Sequence, residues 1–166
     1  MTRYVRAFSW TKSIAAFLRD TVTERPLLNV CSGRMDFGDV KVDLYEPADV
    51  KSSWTILPFG DDTFGAVFAD PPWNGGYKAE VALFMREALR VAPVAYLMAP
   101  WIWASHGVSR TYWVRELPGV NNAIILSRYE RPGRDVLNQT YKPRNDGEVG
   151  AATGRTKKMY GVEGWG

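Results

Sequence analysis

The stretch Gly65-Ala66-Val67-Phe68-Ala69-Asp70-Pro71-Pro72-Trp73 decides how this 166-residue chain reads. Its first five residues form a short apolar run of the kind that fills a buried strand. An acid, two prolines and an aromatic ring follow directly, and then Asn74-Gly75-Gly76. Proline fixes its own φ at about −65° and biases the residue before it toward extended geometry. The run therefore predicts a strand whose carboxyl end carries a rigidly held carboxylate. In open α/β sheets, ligands bind at the carboxyl ends of strands. A bare Asp-Pro-Pro also reads as a simple turn that ends a strand. The aromatic fourth residue and the apolar lead-in favour a site.

The flanking sequence supplies the rest of such a sheet. Residues 9–23 carry Ile14, Phe17, Leu18 and Val22 at helical spacing, with Ser9 or Thr11 as cap and Pro26 beyond the end. Leu27-Leu28-Asn29-Val30-Cys31 predicts a first strand and Val40-Lys41-Val42-Asp43-Leu44 a second. Trp54-Thr55-Ile56-Leu57 predicts a third, ending at Pro58, and Ala66 to Ala69 a fourth. Residues 77–91 place Val81, Phe84, Met85, Ala88 and Leu89 on one side of a helix, and Val94 to Met98 follows as a fifth strand. Tyr112 to Leu117 and Asn122 to Tyr129 read as two more strands, joined as a hairpin by Pro118-Gly119-Val120-Asn121. The expected fold is α/β, a mostly parallel sheet with an antiparallel terminal hairpin. Only Ser32 to Asp39 separates the first two strands. A parallel crossover usually takes a dozen or more residues, so the helix there is expected to be absent or reduced to a turn.

Asp70-Pro71-Pro72-Trp73 resembles the DPPW/DPPY motif of S-adenosylmethionine-dependent methyltransferases that modify exocyclic amino groups, above all adenine N6. Residues 27–130 are similar to a reduced form of the Rossmann-like class I methyltransferase fold. The resemblance implies S-adenosyl-L-methionine as cofactor and Asp70, Pro71, Pro72 and Trp73 as the catalytic group. An aromatic amine is a poor nucleophile because its lone pair is delocalised into the ring. An acceptor that holds the N–H bonds favours a pyramidal nitrogen and aims the lone pair. Asp70 offers one acceptor and the Pro71 carbonyl a second, held in one arrangement by the two prolines. Trp73 offers a face for the base, and such stacking is worth roughly 1–3 kcal/mol. A base taken from a duplex needs such a pocket.

The resemblance also implies a cofactor half. Asn29-Val30-Cys31-Ser32-Gly33 ends the first strand in a small-residue turn, with Gly38 in the same loop. Cys31, Ser32 and Gly33 would line the methionine end, and Asp43 would hold the ribose. Read alone, the turn and the acid are also an ordinary loop and a solvated Asp. Leu57-Pro58-Phe59-Gly60-Asp61-Asp62-Thr63-Phe64 resembles the LPF-x-D-x-x-F segment near the adenine, with Leu57 and Phe59 as its wall. Phe59 and Phe64 also read as core. Ser52, Ser53 and Trp54 stand where the family often carries an acid for the adenine amine. Trp101 and Trp103 follow the fifth strand and either border the base pocket or pack in the core.

Composition narrows the classes. The 46% apolar and 23% charged content is that of an ordinary globular domain. One cysteine, Cys31, excludes an internal disulfide and a Cys-rich zinc site, and one histidine, His106, argues against a His-based metal centre, so no metal is expected. Cys31 has no histidine near it in sequence and reads as a small buried residue; His106 reads as a surface or capping residue. No apolar run is long enough for a membrane helix, and the N-terminus lacks a secretory pattern, so a cytoplasmic, membrane-free protein is expected. The expected division is a methyltransferase domain over 1–130 and a basic, Gly-rich tail over 131–166. The tail holds Arg131, Arg134, Lys142, Arg144, Arg155, Lys157 and Lys158 against four acids, which is the whole net charge of +3. With Tyr141, Tyr160 and Trp165 interleaved, it suits a nucleic acid, DNA before RNA; a solubilising end reads equally well. No separate target-recognition domain is visible, so selectivity is expected to be modest or to come from a homodimer or partner subunit. The expected activity is methyl transfer to adenine N6 of DNA. The alternatives are RNA adenine, cytosine N4, a protein amide, or a non-catalytic methyltransferase-like subunit that holds nucleic acid.

Overall fold

Thr11 caps the first helix, its hydroxyl oxygen accepting from the Ile14 N–H at 3.3 Å. The structure, a computed structural model, describes residues 10–72, 77–104, 109–116 and 123–132. Helix α1 spans Lys12–Thr21 and buries Ile14 and Leu18, with Val22 buried at its C-cap. The strands are β1 (Leu27–Val30), β2 (Val40–Asp43), β3 (Val50–Lys51), β4 (Ala66–Ala69), β5 (Val94–Ala99), β6 (Ser109–Glu116) and β7 (Ala123–Glu130); helix α2 (Tyr77–Val91) joins β4 to β5. They form one sheet in the order β3-β2-β1-β4-β5-β7-β6. Strands β1 to β5 run parallel to one another, and β7 is antiparallel to both β5 and β6. This is an α/β fold with a mostly parallel sheet, compatible with a Rossmann-like architecture.

The central strands β1, β4 and β5 are buried along their whole length, as expected where both faces of a parallel sheet are covered. On one face, Val81, Phe84, Met85 and Ala88 of α2 pack on Leu28, Val30, Val67, Ala69 and Leu97. On the other, Ile14, Leu18 and Val22 pack with Leu27, Phe37, Ala66, Phe68 and Tyr96. Beside α1, Glu24 accepts from the Tyr96 hydroxyl at 2.9 Å and pairs with Arg128 at 3.1 Å, which fastens the segment before β1 to β5 and β7.

No helix joins β1 to β2. The return is sterically simple because a four-residue strand is short, about 13 Å, and residues 31–39 reach further than that when extended. The loop puts Phe37 where a crossover helix would pack, and the Asn29 side-chain amide donates to the Phe37 carbonyl at 2.9 Å. Gly38 sits at φ +90°, and a Cβ there would stand 3.0 Å from the Asn29 Cβ, so the tight return requires glycine.

One expected element is displaced. Residues 54–57 are not a strand; the third strand is the short Val50–Lys51 instead. The hydroxyls of Ser52 and Ser53 bond the Ile56 carbonyl and the Thr55 N–H, and such local side-chain bonds favour a turn over a ladder. Trp54 is buried because its ring stacks on Phe84, not because it alternates along a strand. No helix among the described residues is long and apolar enough to cross a membrane. The chain divides into units 1–132 and 133–166, and every described residue belongs to the first. Trp73, His106, the expected hairpin turn at 118–121 and the tail from Gly133 lie outside the described residues.

Candidate active site

The strand order reverses between β1 and β4, which are parallel neighbours paired Val30 with Ala69. Such a switch point opens a crevice at the carboxyl ends of the two strands. The loop from Cys31 and the segment from Asp70 both leave the sheet there.

Side chains alternate along a strand. Ala66 and Phe68 belong to the α1 side of the sheet, so Asp70 points to that side as well. Its Oδ2 accepts a hydrogen bond from the indole Nε1–H of Trp10 at 2.8 Å. Trp10 stands just before the Thr11 cap. Its ring meets Phe37 and Phe68 edge-on, with centroids 5.5 Å and 5.6 Å away, and those two rings meet each other at 5.1 Å. Three rings in mutual edge contact leave the indole little freedom. Burial pushes the Asp70 carboxyl up to about 7, and the Trp10 bond pulls it partly back. Oδ1 accepts no hydrogen bond from the described residues. Pro71 is buried and Pro72 exposed.

The loop after β1 has two left-handed residues, Cys31 at φ 55° and Gly33 at φ 54°. The first is uncommon for a residue with a side chain, and such strain gathers at functional sites. Ser32 is 2% exposed, and its Oγ makes no hydrogen bond to the described residues. Buried hydroxyls are normally satisfied, so this one is suited to a ligand's donor or acceptor. The Gly33 N–H donates to Asp43 Oδ2 at 2.9 Å, and Asp43 Oδ1 accepts from the N–H groups of Tyr45 and Glu46, both at 2.8 Å. Asp43 thus ties two loops together, a structural duty that its position at a strand end did not reveal. A carboxylate has about four acceptor positions, so one remains on Oδ2.

Burial pushes the Cys31 thiol up, and the charges of Asp43, Asp70 and Glu80 push it further. The thiol is held protonated, which removes it as a nucleophile. The pairing of β1 with both β2 and β4, and the bond from Gly33 to Asp43, bring the ends of these three strands together here. Glu80 is anchored by the Trp54 indole, which donates to its Oε2 at 2.6 Å. Neither Trp10 nor Glu80 stood out in the sequence. Trp10 had one signal, an aromatic residue at the position preceding a helix cap, where apolar side chains often pack back onto the fold.

Leu57 and Phe59 are held elsewhere. Arg90, in the last turn of α2, donates to the carbonyls of Leu57 at 3.0 Å and Phe59 at 2.8 Å, and the Leu57 N–H donates to Glu87 at 3.1 Å. The Phe59 ring meets Phe64 edge-on at 4.9 Å. Since α2 begins after the carboxyl end of β4 and ends before β5, its last turn lies at the opposite edge of the sheet from Asp70. The chain from Trp54 to Phe64 runs along α2 as scaffold. Trp101 and Trp103 are partly buried against the core on the α2 side, and the Tyr129 hydroxyl donates to the Trp103 carbonyl at 3.1 Å.

The carboxylate group around Cys31 repels phosphates, and Asp43 already occupies the Gly33 N–H. The corner therefore suits a cation or a hydroxyl-rich ligand better than a pyrophosphate. Comparison with known proteins gives no match, either to a family model or to a curated sequence.

Proposed function

We propose that this protein is a compact class I methyltransferase that moves a methyl group from S-adenosylmethionine to an exocyclic amine, adenine N6 of DNA first. The observation that carries the reading is the Asp70 carboxylate. It is half-buried at the switch between β1 and β4, anchored through Oδ2, and accepts nothing from the described residues at Oδ1. The mostly parallel sheet with an antiparallel end and the DPPW sequence support the class I assignment.

The donor set fits the cofactor. Ser32 brings an unpaired buried hydroxyl, Asp43 a remaining acceptor for ribose, and Asp43, Asp70 and Glu80 a negative field that favours a sulfonium. When bound, the cofactor supplies an electrophilic methyl group. In this reading Asp70 Oδ1 accepts one N–H of the amine and the Pro71 carbonyl the other, which favours a pyramidal nitrogen and frees its lone pair from conjugation with the ring. A carboxyl near 7 also stands close enough to neutrality to take the amine's proton, although solvent can serve. Trp73 supplies the stacking face in this reading.

Incubation with methyl-labelled S-adenosylmethionine and DNA, RNA or protein in parallel tests it. Label in DNA as N6-methyladenine is the expected result. Stabilisation by S-adenosylhomocysteine without transfer to any substrate would leave a binding subunit, and the absence of both would overturn the assignment.

A further inference from the structure

We infer that Trp10 is a positioning residue for Asp70: its indole N–H fixes Oδ2, so that Oδ1 alone is left to receive the target N–H along one direction. The inference rests on the reading of Asp70 as the acceptor for the amine, and it deepens that reading.

A carboxylate at a strand end has two equivalent oxygens and rotates about its terminal torsion. Here one oxygen is committed at 2.8 Å to a donor sixty positions away in the chain. That donor cannot swing, because its ring is held by Phe37 and Phe68, and Phe68 lies two residues before Asp70 on the same strand face. The aromatic cluster thus references the carboxylate to the strand that carries it. Indole is a donor only. It bonds the charged carboxylate more strongly than the protonated acid, so it opposes the effect of burial on Asp70. The other titratable groups at this corner are Cys31 after β1, Asp43 at the end of β2 and Glu80 on α2, and the acids raise the Cys31 thiol; on Asp70 itself the opposing influences are burial and the Trp10 bond. Trp10 is therefore the group that keeps an anionic acceptor in place. The aromatic packing alone needs no N–H; a phenyl ring fills most of the same space.

Trp10→Phe separates the two roles. With aspartate labelled at the carboxyl carbon, NMR titration is expected to show the Asp70 midpoint about one unit higher in Trp10→Phe, the size expected for loss of a hydrogen bond to a charged group. The acid limb of methyl transfer is expected to move by the same amount. At saturating pH, kcat is expected to fall about tenfold with KM for S-adenosylmethionine unchanged. A second measurement needs no Trp10 variant: the Trp10 indole N–H resonance of the wild-type protein is expected to titrate with Asp70, and to stop titrating in Asp70→Asn. An unmoved Asp70 midpoint in Trp10→Phe, or an indole resonance indifferent to Asp70, would overturn the inference. Both readouts are independent of catalysis. A wild-type protein that passes them yet transfers no methyl group would defeat the proposed function while leaving the Trp10–Asp70 bond intact, and with it would go the positioning role.

Discussion

The backbone N–H of Gly33 donates to Asp43 Oδ2 at 2.9 Å, which joins the loop after β1 to the end of β2 across ten residues. The same carboxylate accepts from Tyr45 and Glu46. Asp43→Ala removes all three bonds, so it is expected to lower stability by about 1–3 kcal/mol. It is also expected to weaken S-adenosylhomocysteine binding at least tenfold by calorimetry. Asp43→Asn keeps acceptor oxygen for the turn but loses the charge, so it should recover much of the stability and less of the affinity. Wild-type affinity in both variants would mean that the ribose is held by other residues.

Asp70 has the opposite relation to stability. Its carboxyl is raised from the ordinary range to about 7. Between those two values the folded protein binds a proton that the unfolded chain has released, so stability falls as pH rises, at roughly 1.4 kcal/mol per unit. Asp70→Asn removes the titration. Its thermal midpoint is expected to exceed that of the wild type at pH 8, and the gap to close toward pH 4–5. A gap that is absent or reversed at pH 8 would contradict the burial of the carboxylate.

Arg90 clamps the 57–64 segment through the Leu57 and Phe59 carbonyls, Asp61 and Glu87. Arg90→Ala is expected to destabilise the protein by about 1–3 kcal/mol in chemical denaturation and to leave S-adenosylhomocysteine affinity within twofold of wild type. A large loss of affinity in a folded variant would return this segment to the cofactor site.

The sequence was most legible where burial is two-sided or strictly periodic. β4 and β5 were visible as apolar runs, and α2 as a helix over 77–91, because tertiary packing and local pattern agree there. The missing helix between β1 and β2 followed from loop length alone. Trp54 misled because a large apolar residue in a short run looks the same whether it alternates in a strand or stacks on a helix. The bond from Trp10 to Asp70 was out of reach because it spans sixty residues and depends on where two aromatic rings hold an indole. Arg131, counted by composition with the basic tail, bonds Asp62 at 2.6 Å and the Arg90 carbonyl at 3.3 Å, so it belongs to the fold.

Without Arg131, the unit from Gly133 still holds Arg134, Lys142, Arg144, Arg155, Lys157 and Lys158 against four acids. Deleting residues 133–166 is expected to weaken DNA binding and to reduce the slope of log affinity against log salt by about one for each phosphate no longer neutralised. An unchanged slope would place the DNA-binding surface on the α/β unit.

The central claim is that the free oxygen of Asp70 prepares an adenine amine for methyl transfer. Digestion of adenine-containing DNA after incubation with S-adenosylmethionine, followed by mass spectrometry, tests it directly when wild type and Asp70→Asn are compared. The account predicts N6-methyladenine from the wild type. It predicts a rate lower by about 10²–10³ for Asp70→Asn, with S-adenosylhomocysteine affinity retained. N6-methyladenine formed by Asp70→Asn at near wild-type rate, or no methylated base from the wild type, would contradict it.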